Sequence, residues 1–500
     1  MIKQIATISI MAFATLLSIP GAEAEKIVIM HTNDTHSQID PGSDDMGGLA
    51  RRKVLIDSIR SATPYTLLID AGDAVQGTAY FNLYGGEVES KGLNALGYEY
   101  ATLGNHEFDN GMEALARYLS QTDARFISTN YDLSDTPLDS LVSRYRIVNI
   151  AGKKIGLIGL NVDPAGIIDP AKSQGVKYQD VYRAANSTAW HLKHNEGVDY
   201  VVAISHIGYH YDETPDDLDV AEGGNDIDLI IGGHSHTKVE PGTPDGWRLN
   251  SDRKPVIITQ TGSTGKYLGV VTIDTDTDSI QASLIPVDSR LDSRIDPAIV
   301  EMTAPYRHGV DSLKSIVIGK SRIDSNDRSN NGIINFVSAF LADRGRSLVP
   351  DGKIDLAVSN RGGVRTGMKR GNVTKGAIME MLPFDNKVTV LEMKGSDLIE
   401  SFGINSRMKR VSYDRPVTVT MKGDKAIKAT VNGKEISPDA TYRVATIDYI
   451  AKGGDYMAPM TRGKAIAQSH RIMNEDVMEY ISRLPRKTIK DDPTVYFTVK

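Results

Sequence analysis

Residues able to hold a divalent metal recur in short clusters through the first half of this chain. They are Asn33-Asp34-Thr35-His36, Asp70-Ala71-Gly72-Asp73, Gly104-Asn105-His106-Glu107, Ser205-His206 and Gly232-Gly233-His234-Ser235-His236. Nine of the eleven histidines fall before residue 211 or in the His234, His236 pair. With no cysteine in the chain, a thiolate metal site, a disulfide and a Cys nucleophile are all excluded. Asp, Asn and His donors suit zinc, manganese, cobalt or iron better than calcium. Two such ions about 3.5–4 Å apart with a shared carboxylate are the usual device for in-line attack of water on phosphorus. In Asp34-x-His36 and His234-x-His236, alternation along an extended segment would put both donors on one side.

The clusters follow apolar runs that read as strands: Lys26 to Met30, Thr66 to Ile69, Tyr100 to Leu103, Tyr200 to Ile204 and Leu229 to Ile231, with Lys154 to Leu160 and Val256 to Ile258 beside them. Amphipathic stretches between them, Gly48 to Arg60 and Gly111 to Ser120, read as helices. The pattern predicts an α/β domain with a largely buried sheet, whose strand ends share one edge and bring the clusters to one cleft. Asp296-Pro297 predicts a capped helix running to Ser315. From about Ser321 the pattern restarts, with a helix over Gly332 to Asp343 and a strand over Lys387 to Met393.

Taken together, Asn33-Asp34-Thr35-His36, Gly72-Asp73, Gly104-Asn105-His106-Glu107-Phe108-Asp109, Ser205-His206 and Gly233-His234-Ser235-His236 resemble the calcineurin-like metallophosphoesterase signature, in the form found in secreted 5'-nucleotidases. The resemblance covers nearly the whole mature chain. It implies two divalent ions: Asp34, His36, Asp73 and His236 would hold one, and Asp73, Asn105, His206 and His234 the other, with Asp73 bridging. His106 would face the phosphate, its ring oriented by Asp109, to stabilise the transition state or protonate the leaving oxygen. His31, His191, His194 and His210 match no ligand position. His31 is expected to pack inward from a strand, and the others to be ordinary surface or helix residues.

The resemblance continues into the second half. Asn360-Arg361-Gly362-Gly363-Val364-Arg365 resembles the family's Asn-x-Gly-Gly-x-Arg loop, and Pro383-Phe384 the start of its Pro-Phe strand. Tyr449 to Asp455 resembles its segment with an aromatic residue and, six positions on, an Asp. By that likeness Phe384 and Tyr449 would sandwich a nucleobase, Asp455 would receive ribose hydroxyls, Asn360 belongs to the substrate loop, and Arg365 with Arg328 would meet anionic oxygens. Stacking on two rings tolerates any base, and Arg offers a planar donor fork to oxyanions. Tyr449 stands where the family usually has Phe, and the stretch after Arg328 follows the family only loosely.

The expected architecture is therefore a signal peptide over residues 1–24, a metallophosphoesterase domain over 25–294 with helices flanking two sheets, a linker helix over 295–315, and a C-terminal α/β substrate-binding domain over 316–500. Lys3, the apolar run Ile5 to Ile19 and Ala22-Glu23-Ala24 form the three-part export signal, with cleavage after Ala24 and a periplasmic or extracellular destination. That run falls short of the roughly 20 residues that span a bilayer, so no membrane span is expected. A net charge of −7 argues against a nucleic-acid polymer as partner. The expected substrate is a nucleoside 5'-phosphate. The alternatives are hydrolysis of nucleotide sugars or 2',3'-cyclic nucleotides, and an exported nucleotide-binding surface protein. The resemblance also implies a rotation of the second domain that carries substrate to the metals.

Overall fold

The computed structural model describes residues 25–210 and 215–500. The expected signal peptide lies outside the described residues. Two sheets form the first half. One orders its strands Ser279–Pro286, Tyr267–Asp274, Lys26–Thr32, Thr66–Asp70, Tyr100–Thr102, Arg125–Ile127 and Val142–Ser143. The other runs Trp247–Leu249, Pro255–Thr259, Leu229–Ile231, Tyr200–His206, Lys153–Asn161 and Tyr145–Ile150. Strand alternation explains how they stack. Ile27 and Ile29 point into a core shared with Leu157, Val202, Ile204 and Ile231 of the second sheet. Met30, from the opposite face of the same strand, packs with Leu49, Ile56, Leu93 and Leu119 of the outer helices. The second sheet is backed in the same way by Val181, Ala185, Ala189 and Leu192 of helix Val181–His194. The layers are helix, sheet, sheet, helix, as the fold expectation required. His31 faces the inter-sheet core, fully buried, with Thr259 Oγ1 3.3 Å from its Nε2.

Each apolar run singled out above forms a strand, and the central ones, Lys26–Thr32, Thr66–Asp70 and Tyr100–Thr102, pair in parallel. Their C-terminal ends therefore leave on one edge, and the ligand clusters start there. Helix Pro297–Ser315 opens as its sequence predicts: the Asp296 carboxylate accepts from the Ala298 N–H, and Pro297 occupies the first turn. The helix touches both halves, through Arg307 to Asp40 at 2.7 Å and Lys314 to Glu380 at 3.0 Å.

The second half carries a five-stranded sheet, ordered Val411–Tyr413, Leu356–Asn360, Thr441–Ile447, Val388–Lys394 and Lys464–Gln468, with smaller three- and four-stranded sheets beside it. Helix Asn331–Leu348 buries Ile333, Ile334, Val337, Phe340 and Leu341 in its core. Pro383-Phe384 does not begin a strand. The strand starts at Val388, and residues 383–387 form an irregular approach to it, in which the Pro383 carbonyl accepts from the Asn82 amide of the first half. Proline has no N–H to give a ladder, so a loop is where it fits. Among the described residues no helix is long and apolar enough to cross a membrane.

Candidate active site

The ligand clusters converge, by a backbone route that alternation did not anticipate. Asp34, His36, Asp73, His234 and His236 all take left-handed conformations, with φ between 47° and 72°. Neither Asp34-x-His36 nor His234-x-His236 is extended. Tight left-handed kinks aim each side chain separately, so His234 and His236 serve different groups of donors. One group is Asp34, His36 and His236, and the other Asp73, His206 and His234, each with its donor atoms within 4.8 Å of one another. Gly72 and Gly104 let the loops approach: a Cβ on Gly72 would lie 2.7 Å from the Gly104 nitrogen, and one on Gly104 would collide with the Asp73 carboxylate.

Hydrogen bonding fixes how the imidazoles present themselves. His206 Nδ1 lies 2.7 Å from the Ala71 carbonyl, which only an N–H can satisfy. Its Nε2 faces Asp73 Oδ2 at 3.2 Å; burial opposes a charge on the ring, but with no ion between them Asp73 raises its pKa to about 10. In the same way His36 Nδ1 faces the Gln76 carbonyl at 3.2 Å, leaving Nε2 opposite His236 Nε2 at 2.9 Å. Ring nitrogens and carboxylate oxygens thus converge in two compact groups, and buried Asp and His donors so gathered fit a divalent metal. Asp73 lies between the groups, its Oδ2 3.2 Å from His206 and 4.0 Å from His36. Its other oxygen accepts from the His106 N–H at 2.8 Å. Burial alone would raise Asp73, but His206, His106 and His36 hold it well below the ordinary carboxylate range. Burial presses His234 down to about 3, so it presents a neutral, metal-competent ring.

His106 stands apart from both groups. Its Nδ1 lies 2.9 Å from Asp109 Oδ2, one turn further along the short helical segment His106–Phe108 and its cap. Burial opposes protonation of the ring, yet Asp109 and Asp73 raise its pKa above the usual histidine value. Such a group carries a proton to a substrate oxygen, or meets developing negative charge.

These residues form one wall of a cavity of about 540 Å³ whose far wall comes from the second half of the chain. Asp73, Asn105, His106, Asp109, His234 and His236 line it opposite Arg328, Asn360, Arg365, Phe384, Tyr449 and Asp455, while Asp34, His36 and His206 lie buried beneath. Arg365 reaches furthest: its Nη2 is 2.9 Å from His36 Nε2, and burial, reinforced by Arg328, lowers its pKa to about 10. The Phe384 ring sits 5.5 Å from that of His106, with the Arg365 guanidinium 5.9 Å from the Phe384 ring. At the other end the Tyr449 hydroxyl accepts from the Asp455 N–H at 3.2 Å, and burial raises the Asp455 carboxyl against the pull of Arg410, Asn360 and Tyr449. Of the unmatched histidines, His191 and His194 lie on the outer helix and His210 is exposed.

Two features had no role assigned from sequence. Glu107 is buried, and its carboxylate accepts from three backbone N–H groups, of Asp73, Ala74 and Gly104, at 2.6–3.0 Å. It thereby ties two ligand loops together. Its signal was present, a carboxylate inside a ligand cluster, but sequence alone does not separate a ligand from a brace. The second is the irregular stretch 163–172, which supplies Ile167, Ile168, Asp169 and Lys172 to the cavity. Its repeated Asp-Pro pairs mark a structured turn without saying what it faces.

Comparison with known proteins agrees with this geometry. Residues 27–238 match the calcineurin-like phosphoesterase family, and residues 312–462 match the 5'-nucleotidase C-terminal domain. A 5'-nucleotidase of Vibrio cholerae is 26% identical over 91% of this chain and 90% of its own length. A trifunctional nucleotide phosphoesterase of Bacillus subtilis is 27% identical over 86% of the chain, which spans only 32% of that longer protein. The crystal structure of a 5'-nucleotidase precursor from Thermus thermophilus superposes with a TM-score of 0.83 at 26% identity, over 95% of this chain and 99% of that one. The chain belongs to the family that joins a calcineurin-like phosphoesterase domain to a 5'-nucleotidase C-terminal domain, and it is a metal-dependent phosphoester hydrolase.

Proposed function

We propose that this hydrolase releases phosphate from nucleoside 5'-phosphates, using two divalent ions, after export and cleavage near Ala24. The observation that carries the reading is one cavity in which Asp73, His234 and His236 of the two donor groups, with His106, face Arg365, Phe384, Tyr449 and Asp455. Asp34, His36 and His236 would hold one ion and His206, His234 and Asn105 the other, with Asp73 between them. Bound there, such ions supply positive charge to the phosphoryl oxygens and activate water for in-line attack. The protein's own groups do the remainder. Arg365 and Arg328 bind and orient the phosphoryl group. His106, held by Asp109, stabilises the transition state or gives its proton to the departing ribose oxygen. Phe384 and Tyr449 hold the base, and Asp455 and Asn360 the sugar.

A panel of nucleotides, nucleotide sugars, 2',3'-cyclic nucleotides and simple phosphate esters, assayed after chelation and re-metallation, tests the reading. Nucleoside 5'-monophosphates should give the highest kcat/KM, with nucleoside as product. A preference for diesters would favour the phosphodiesterase alternative. That alternative draws support from the Bacillus relative, named as a trifunctional nucleotide phosphoesterase. Tight nucleotide binding without turnover in any metal would favour the binding protein. Replacing Phe384 and Tyr449 together by Ala should lower kcat/KM for nucleotides far more than for an aryl phosphate. Equal loss on both would make the two rings core residues.

A further inference from the structure

The stretch 163–172 touches the recognition half and the catalytic half of the cavity at once. It is built to hold a shape. The Asp163 carboxylate accepts from the Ala165 N–H at 2.9 Å and the Asp169 carboxylate from the Ala171 N–H at 2.9 Å, while the Pro164 carbonyl accepts from both Ile167 and Ile168. Ile168 is buried in the core of the first half, which anchors the loop.

From this anchor it makes four contacts. Lys452, three residues beyond Tyr449, forms an ion pair with Asp169 at 2.6 Å. Gly166, at φ +83°, lies close against the Tyr456 ring, 3.3 Å from where its Cβ would stand, and its carbonyl is 3.5 Å from the Tyr449 hydroxyl. Lys172 donates to the backbone carbonyl of Asp109, the residue that orients His106. Although burial opposes ionisation of Asp169, Lys452, the Ala171 N–H and Lys172 keep its carboxyl below the ordinary range, so Asp169 is a carboxylate at neutral pH.

We infer that residues 163–172 are a substrate-specificity element, in which the Asp169–Lys452 pair holds the Tyr449 segment at the distance from the catalytic half that a nucleobase requires. The inference rests on the nucleotide reading given above. Asp169 and Lys452 are positioning residues: they act through Tyr449 and touch no reacting atom. A phosphate ester without a base draws nothing from Tyr449, so breaking the pair should change the ratio between the two substrate types.

The test uses the full metal-loaded enzyme with a nucleoside 5'-monophosphate and an aryl phosphate, for wild type, Asp169→Asn, Lys452→Met, the double variant, and the charge swap Asp169→Lys with Lys452→Asp. Each single variant should raise KM for the nucleotide about two- to fivefold, the size of a partly exposed ion pair, with kcat nearly unchanged. The nucleotide-to-aryl ratio of kcat/KM should fall with it. The double variant should be no worse than either single one, and the charge swap should recover part of the loss. An unchanged ratio, or strictly additive losses in the double variant, would overturn the inference. Absence of nucleotide turnover in wild type would instead overturn the nucleotide reading, so the two failures are distinguishable.

Discussion

Arg365 Nη2 lies 2.9 Å from His36 Nε2, although 329 residues separate them in the chain. A guanidinium from the recognition half thus stands within hydrogen-bond reach of a candidate metal ligand, where a phosphoryl oxygen would meet both. Arg365→Met should lower kcat/KM on the order of 10²-fold, as loss of a charge-stabilising donor does. Metal content should stay at the wild-type level. Arg365→Lys should recover only part of the activity, since an ammonium lacks the planar fork. A Met variant with wild-type kcat/KM would take Arg365 out of the phosphate contact.

His106→Ala should retain its metals and lose turnover by about 10²–10⁴-fold, the usual contribution of a general acid or base. Asp109→Asn should lose less, because the ring remains and only its orientation and charge support weaken. Loss of metal from the His106 variant, read by elemental analysis, would make His106 a ligand instead.

Asp73→Asn is the most informative ligand substitution, because Asn accepts the left-handed backbone that Asp73 adopts at φ 54°. Geometry is preserved while the charge between the donor groups disappears. Turnover should vanish, and total metal content should fall further than in His36→Asn or His234→Asn. Full metal loading with near wild-type rate would contradict the bridging position.

Glu89, buried in helix Glu87–Leu96, gives a test away from the chemistry. Burial raises its carboxyl to about 7, against the pull of the Ser37 hydroxyl. An unfolded glutamate releases its proton near its ordinary value, whereas the folded one keeps it until about pH 7. Stability from this group is therefore complete below the unfolded value and is lost as pH rises through the folded one. A shift of that size corresponds to about 3 kcal/mol when fully developed. Glu89→Gln should melt higher relative to wild type at pH 8 than at pH 4.5, both proteins being metal-free. A Tm difference independent of pH would show that Glu89 ionises normally in the folded chain.

Much of this was legible because it is periodic or clustered. The strands Lys26–Thr32, Thr66–Asp70 and Tyr200–His206 follow from apolar runs, and the helix at Pro297 from its Asp-Pro start. The donor clusters were visible as residue types at strand ends. The left-handed turns at Asp34 and His236 were not, since a single φ leaves no periodic trace and the spacing pointed to an extended segment instead. Glu107 escaped assignment because its partners are backbone N–H groups, which no side-chain pattern reveals. The loop 163–172 escaped because its contacts lie almost 300 residues away in the sequence, at Lys452 and Tyr449.

The left-handed turns at Asp34, His36, Asp73, His234 and His236 carry one more consequence. Such backbone conformations cost on the order of 1 kcal/mol or more apiece for residues other than glycine, so an unfolded chain seldom visits several of them together. A peptide copied from any one ligand loop would lack the arrangement that the sheets impose. A metal site built on these residues would exist only in the folded protein, and the ion's binding free energy would add directly to folding stability. The melting temperature should then serve as a gauge of free metal, rising with the logarithm of its concentration above Kd.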